Sequence, residues 1–375
     1  MSNIYIVKLH ESEKFTNFIK SLDAVPDFRN PIAIEYHLTD ILVIMVFSIL
    51  GGANNPVEIE RFCELHADWF NDILCLGSIT PSHDTFLRIL EFINPIELEF
   101  WLNMWRDDFT NILSRRHIAF DGKCDNANQK TLLRAYDCSS DSVIAHMKVP
   151  KGTNEITIAP SLLSLISFKD AIVTGDAMHA QKKNVEVIVS NSGDYLFTIK
   201  RNQHQLYKDV ALYLDDLFDN RPSDVLYSLH ESSERSRGRK EHRVCLSTSN
   251  IGWLYQRRYW PKLRSISVIQ STRTINGVTT TQRRYFISSL KADSVSIMKI
   301  IRDHWRIENL CHRHLDVDFA SDWATLRDDN AALNLSILKD FCLSLLKNCY
   351  QVGSIKSRRC ECAFRVESLI KSLLN

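Results

Sequence analysis

Three carboxylates each close a short apolar segment: Asp121 in Ile118-Ala-Phe-Asp-Gly-Lys123, Asp176 in Ile172-Val-Thr-Gly-Asp-Ala-Met178, and Glu308 in His304-Trp-Arg-Ile-Glu-Asn309. An aspartate at the end of a buried strand is costly unless a cation meets it. A pair of Mg2+ ions is the usual partner, with Mn2+ as the substitute, and two divalent ions held by carboxylates cut and join phosphodiesters. Each aspartate alone reads equally well as a turn former at a strand end. Glu308 alone reads as half of a core ion pair, with Lys123 or Arg302 as its partner. His83, His179, His304 and His312 lack a two-ligand helical spacing with a matching carboxylate, so core or supporting roles are expected of them.

The elements that must position these acids follow from periodicity. Residues 1 to about 112 read as a helical N-terminal domain, with apolar residues at three- and four-residue spacing near 11–22, 37–50, 55–75, 83–93 and 95–113. The character then changes to short strands at 117–121, 132–137 and 143–149, a helix at 155–166, a strand at 171–174, a helix at 180–190 and a strand at 195–199. That order, β-β-β-α-β-α-β with acids ending the first and fourth strands, suits a mixed α/β sheet flanked by helices and is the order of a ribonuclease-H-like core. From 201 to 290 strands and charged loops are expected, with 265–272 and 278–288 joined as a hairpin through Asn276-Gly277. Helix resumes at 293–312, where Ile297, Ile301, His304 and Glu308 share one face. Further helices are expected at 331–349 and 363–374, the second within a C-terminal helical tail at 351–375. The aspartates stand 55 positions apart, whereas 132 separate Asp176 from Glu308. The longer gap predicts a β-rich insertion at 201–290, splitting a catalytic unit of 113–200 and 291–350.

Composition is that of an ordinary globular protein: 375 residues, 45% apolar, 24% charged and a formal net charge of +1. Bulk charge therefore makes no case for nucleic acid, and the question moves to local clusters. Arg235, Arg237, Arg239, Lys240 and Arg243, relieved only by Glu234 and Glu241, would suit tracking a DNA backbone, or form an exposed loop. Arg257, Arg258, Arg283 and Arg284 would extend that surface, and Lys123, Lys182 and Lys200 would reach phosphates near the acids. The ten cysteines show no repeated Cys-x-x-Cys spacing, and no signal peptide precedes them, so free thiols in a cytoplasmic protein are expected. The most apolar run, 41–50, is about half of what a bilayer requires.

A set of short motifs carries more than any single one. In order they are His37-Leu38 with Asp40-Ile41-Leu42, Pro81-Ser82-His83-Asp84-Thr85, Asp121-Gly122-Lys123, Asn154-Glu155-Ile156-Thr157, Asp176-Ala177-Met178 and Gln181-Lys182. There follow Gly193-Asp194-Tyr195-Leu196, Lys200 with Asn202-Gln203, Arg284-Tyr285 with Ile287-Ser288-Ser289, and His304-Trp305 with Ile307-Glu308-Asn309. In this order the chain resembles a prokaryotic insertion-sequence transposase of the DDE superfamily, of the H-repeat-associated type, over nearly its whole length. The resemblance implies that Asp121, Asp176 and Glu308 are catalytic acids and metal ligands in a ribonuclease-H-like core. It also implies DNA contacts from Lys123, Lys182, Lys200, Asn202, Gln203, Arg239 and Asn309. The partner would be double-stranded DNA, at element ends and target, with a homodimer pairing two ends. The chain departs from the pattern at Cys124 for threonine, His179-Ala180 for Gly-Cys, Arg237 for histidine and Ser321 for glutamate. Ile301, His304 and Leu315 stand at the spacings of the tyrosine, arginine and lysine that accompany the glutamate in related transposases. Two other readings stay open: a relative that only binds DNA, and a nuclease without strand transfer.

Overall fold

The computed structural model describes residues 12–74, 76, 80–109, 116–125, 130–236, 238–321, 326–349, 353–365 and 368–370. Among the described residues six helices come first: α1 (Glu13–Asp23), α2 (Leu38–Leu50), α3 (Pro56–Leu65), α4 (Ala67–Leu74), α5 (His83–Phe92) and α6 (Pro95–Phe109). Side-chain caps start three of them, as Ser12, Asn55 and Ser82 accept from the backbone N–H of Phe15, Glu58 and Thr85. The single helix expected over 55–75 is interrupted at His66, whose backbone (φ −118°, ψ 24°) leaves the helical region. Helix α2 is apolar all round, with Leu38 and every residue from Ile41 to Leu50 buried, so it must lie at the centre of a helical layer.

One mixed sheet of nine strands follows: β1 (His117–Asp125), β2 (Lys130–Asp137), β3 (Ser142–Val149), β4 (Ile172–Gly175), β5 (Asp194–Ile199), β6 (Ser228–Ser236), β7 (Arg239–Thr248), β8 (Ser265–Ile275) and β9 (Val278–Ser288). The spatial order is β3-β2-β1-β4-β5-β9-β8-β7-β6. Strands β4 and β5 run parallel to β1, and every other pairing is antiparallel. The expected hairpin is present, with Asn276 and Gly277 both at positive φ (48° and 81°), as a two-residue turn of this hand requires.

The strands of 201–290 join the main sheet, as β9 pairs with β5 from Leu196↔Ser288 to Ile199↔Tyr285. The segment also opens with a helix that was not foreseen, His204–Asn220, whose buried Leu206, Val210, Leu214, Leu217 and Phe218 have the helical spacing.

Helices cover both faces. α7 (Glu155–Ser164), α8 (Lys182–Ser190) and α9 (His204–Asn220) pack on Ile118, Phe120, Tyr195, Phe197 and Ile287. α10 (Ser294–His304) packs on Ile172, Leu196, Ile269 and Phe286 of the opposite face. A short α11 (Arg313–Val317), α12 (Asp329–Cys349) and α13 (Ile355–Phe364) complete the thirteen α-helices among the described residues. The C-terminal helix begins eight residues earlier than expected because Ser354 caps it, accepting from Ser357 N–H; residues 371–375 lie outside the described set.

The first six helices share one core with α12 and α13 rather than closing a core of their own. Cys342 donates to the Val46 carbonyl, Asn334 to those of Leu90 and Ile93, and Arg359 to that of Ile49. Helix α12 is tied to the sheet by a buried network. Asp340 accepts from Arg134 at 3.0 Å and lies 2.7 Å from His146 Nε2, while His146 Nδ1 meets Glu99.

Candidate metal centre

Strand register brings the two aspartates together. The parallel pairing of β1 with β4 ends at Phe120↔Gly175, so Asp121 lies beside Asp176, the residue just past β4; β1 itself runs on to Asp125, so Asp121 sits within its strand rather than ending it as expected. Side chains alternate along a strand, which puts His117, Ala119 and Asp121 on one face and Ile172, Thr174 and Asp176 beside them. That face carries α10.

Glu308 arrives by a different route from the one expected. Helix α10 stops at His304, and Ile307–His312 forms a π-helical turn. The continuous α-helical stripe through Ile297, Ile301, His304 and Glu308 is therefore broken. Ile297 is buried, while the Glu308 side chain stays 50% exposed. Such turns recur at functional sites because the extra residue re-aims a side chain. Glu308, Asp121 and His312 place ligand atoms within 4.8 Å of one another.

The protonation pattern follows from crowding. Burial, then the charges of Asp176 and Glu308, push the Asp121 carboxyl up to about 8, where it hydrogen-bonds Glu308. A hydrogen bond from His304 holds Asp176 below the usual carboxylate range, against burial and with help from Lys200 and His179. A hydrogen bond from His312 lowers Glu308 in the same way. Behind Asp176 a polar chain runs into the protein: His117 Nε2 to Thr174 Oγ1 at 2.8 Å, then Thr174 Oγ1 to His304 Nδ1 at 2.9 Å. Burial, with the charges of His304 and Arg306, pushes His117 down to about 3, so it enters that chain neutral. His304 braces Asp176, with Nε2 at 3.5 Å.

The donor set fits a hard divalent cation. Asp121 and Glu308 share a cluster with His312, Asp176 stands near enough for its charge to raise Asp121, and that crowding favours a proton on Asp121. The cationic partners that could have made Glu308 a core ion pair are engaged elsewhere, Lys123 with Asp316 and Arg302 with Glu234.

The residues expected to contact DNA divide into two groups. Lys200 is exposed and lies near enough to lower Asp176, and Lys182 begins α8 with its ammonium 4.7 Å above the Tyr259 ring. Others are committed within the fold. The Lys123 ammonium pairs with Asp316 beside buried Leu315. Asn202 and Gln203 donate to the Ala177 and Ala180 carbonyls, clamping the loop after Asp176. Asn309 donates to the Trp305 carbonyl. Arg239, Arg243 and Arg273 converge on the buried Glu241, which leaves Arg235 and Lys240 exposed at that end of the sheet; Arg237 and Asp322 lie outside the described residues. Arg283 is held by Asp215 and Asp219, and Arg258 stacks on Tyr255 and Tyr259.

Two neighbours of Asp121 were not among the expected ligands. His312, of which a core or supporting role was expected, shares its cluster, and Glu155, named only within a motif, begins α7 and folds over Gly122. The available signal for Glu155 was Gly122 itself, since a Cβ there would stand 2.1 Å from the Glu155 carboxyl carbon.

Comparison with known proteins completes the description. Residues 114–346 match the family model for the transposase DDE domain, and residues 19–106 match the DDE_Tnp_1-associated model. The chain is 31% identical to the putative protein YbfL of Escherichia coli K12 over 348 residues, covering 88% of this chain and 90% of that protein. It is 30% identical to the H repeat-associated putative transposase YhhI of the same strain over 348 residues, with the same coverage. With YbfD, also an H repeat-associated putative transposase of that strain, identity is 32% over 236 residues, 60% of this chain and 91% of the relative.

Proposed function

Because the chain belongs to the transposase DDE domain family, we propose that it cleaves phosphodiesters at the ends of its own insertion element and joins them to target DNA, with Asp121, Asp176 and Glu308 as the metal-holding acids. The observation that carries this is that Asp121 of β1 and Glu308 of the π-turn share one cluster, with Asp176, just past β4, near enough for its charge to raise Asp121. Strands β1–β5 with α7 and α8 then serve as a ribonuclease-H-like core, β6–β9 as the insertion extending its sheet, and residues 1–112 as the region that recognises DNA ends. The acids would hold Mg2+, or Mn2+ in its place.

Bound divalent ions supply acidification of the attacking water or 3′-hydroxyl and stabilisation of the leaving oxygen. The chain's own groups do the rest. His304 and His312 keep Asp176 and Glu308 ionised and aimed, and the Asn202 and Gln203 clamps hold the loop that carries Asp176. Asp121 has to surrender its proton before it can ligate. Metal affinity is therefore expected to rise with pH up to about 8, with about one proton released per binding event. Calorimetry in buffers of different ionisation enthalpy reads that proton directly, and a pH-independent affinity would contradict it.

Lys200, Lys182, Arg235 and Lys240 supply backbone contacts to double-stranded DNA. Glu241→Gln is expected to free the Arg239 and Arg273 guanidiniums while Arg243 keeps Glu234, costing about 1–3 kcal/mol of stability. It should also steepen the salt dependence of DNA binding by about 0.9 in log–log slope per phosphate gained. Fluorescence anisotropy over a salt series measures the slope.

The test of the function is incubation of the full chain with a DNA fragment carrying the gene's own flanking sequence. Nicking at the element boundary in Mg2+ or Mn2+, absent in EDTA, is the expected result. Binding without cleavage would replace this reading with that of a DNA-binding relative.

A further inference from the structure

Asp121 also belongs to a second group of donors, which neither Asp176 nor Glu308 joins. Its carboxylate, that of Glu155 and the imidazole of His179 offer ligand atoms within 4.8 Å of one another. His179 is wholly buried, and neither of its ring nitrogens has a hydrogen-bond partner; the same holds for the buried Glu155 Oε2. The nearest approach between them is 3.4 Å, from His179 Nε2 to Glu155 Oε2. Unsatisfied polar atoms at this depth are rare and costly.

The surrounding structure fixes these groups in place. The His179 backbone N–H donates to Asp176 O at 2.9 Å, its carbonyl accepts from Asn184 Nδ2 at 2.9 Å, and its ring lies 4.6 Å from that of Phe120. Glu155 is held at the N-terminus of α7 behind the Asn154 cap, in the space that Gly122 leaves open. A first-row ion about 2.1 Å from each donor spans at most about 4.2 Å, so side-chain rotations of a few tenths of an ångström would close the site.

We propose that Asp121, Glu155 and His179 form an additional cation seat that takes a first-row transition ion such as Mn2+, Fe2+ or Zn2+ in preference to Mg2+. Imidazole suits those ions, whereas Mg2+ favours oxygen donors and its own waters. The proposal rests on the reading of Asp121 as a metal ligand. Its rival is a protonated His179 paired with Glu155 and no ion.

The full-length protein, titrated with Mn2+ and followed by electron paramagnetic resonance, separates the two. Wild type is expected to bind one more ion than Glu155→Gln or Gly122→Ala, the second variant displacing the carboxylate without removing it. The affinity of that ion should fall at least about tenfold in either variant. The ion should also show nitrogen hyperfine coupling that His179→Gln removes and Glu308→Gln retains, with circular dichroism confirming the fold. Equal stoichiometry in wild type and Glu155→Gln, or coupling that survives His179→Gln, overturns the proposal. If Mn2+ binding is then lost in Glu308→Gln, the DDE reading stands without this seat; no Mn2+ binding by wild type sinks both.

Discussion

Asp121→Asn is expected to abolish DNA cleavage while leaving DNA binding and folding intact. The substitution keeps the shape of the side chain and removes the charge that every candidate cation arrangement at this site shares. Loss of several kcal/mol of transition-state stabilisation corresponds to a rate at least about a thousandfold lower. The same change should leave the metal-free fold as stable or more so, because the native Asp121 carboxyl is pushed up to about 8 by burial and by Asp176 and Glu308. With the folded value above the unfolded one, its contribution is complete below about pH 4 and disappears as pH rises through 8. Asn carries no such slope. Boundary nicking by the variant at wild-type rate would remove Asp121 from the chemistry, and a melting temperature falling with activity would mean only that the site had collapsed.

The second large effect concerns stability. Asp340→Ala leaves Arg134 and His146 facing each other in the core without their shared carboxylate, at a cost of about 3–5 kcal/mol in urea unfolding. Burial works against ionising any of the three. The Arg134 and His146 charges nonetheless hold Asp340 below the carboxylate range, and Glu99 and Asp340 raise His146 to about 9. The signs are opposite. Stability from Asp340 is present above its unfolded value near 4 and lost as pH falls. Stability from His146 is complete below about 6.5 and lost as pH rises through 9. The variant should flatten both limbs of the stability–pH curve. A cost under about 1 kcal/mol would show that the network adds specificity and little energy.

Much of this arrangement was legible beforehand, for local reasons. The order β-β-β-α-β-α-β followed from the alternation of apolar residues, and the Asn276-Gly277 turn from the positive φ it requires. Asp176 does follow the end of its strand, but β1 continues past Asp121 to Asp125, because its antiparallel pairing with β2 outlasts its pairing with β4. The failures came from tertiary context. Helix α9 was passed over although Leu206, Val210 and Leu214 repeat every four residues, because the charged residues between them suggested loops. Nothing local says that β9 will continue the sheet at β5, or that Asn202 and Gln203 will spend their amides on a loop. A π-turn leaves no periodic trace, so Glu308 was assigned to a helical stripe that ends at His304. Glu155 is visible only when Gly122 is read as space left for another group.

The shared helical core has a consequence for how this protein is made. Helix α2 is wrapped in part by α12, and Asp329 follows Leu50 by 279 residues. At a ribosomal rate of roughly 5–20 residues per second, that apolar helix waits roughly 14–56 s for its cover to be synthesised. Throughout that interval the nascent chain presents a sticky segment to solvent. A chain released early would keep it, making truncated products natural clients for chaperones and proteases rather than free-standing competitors of the finished protein.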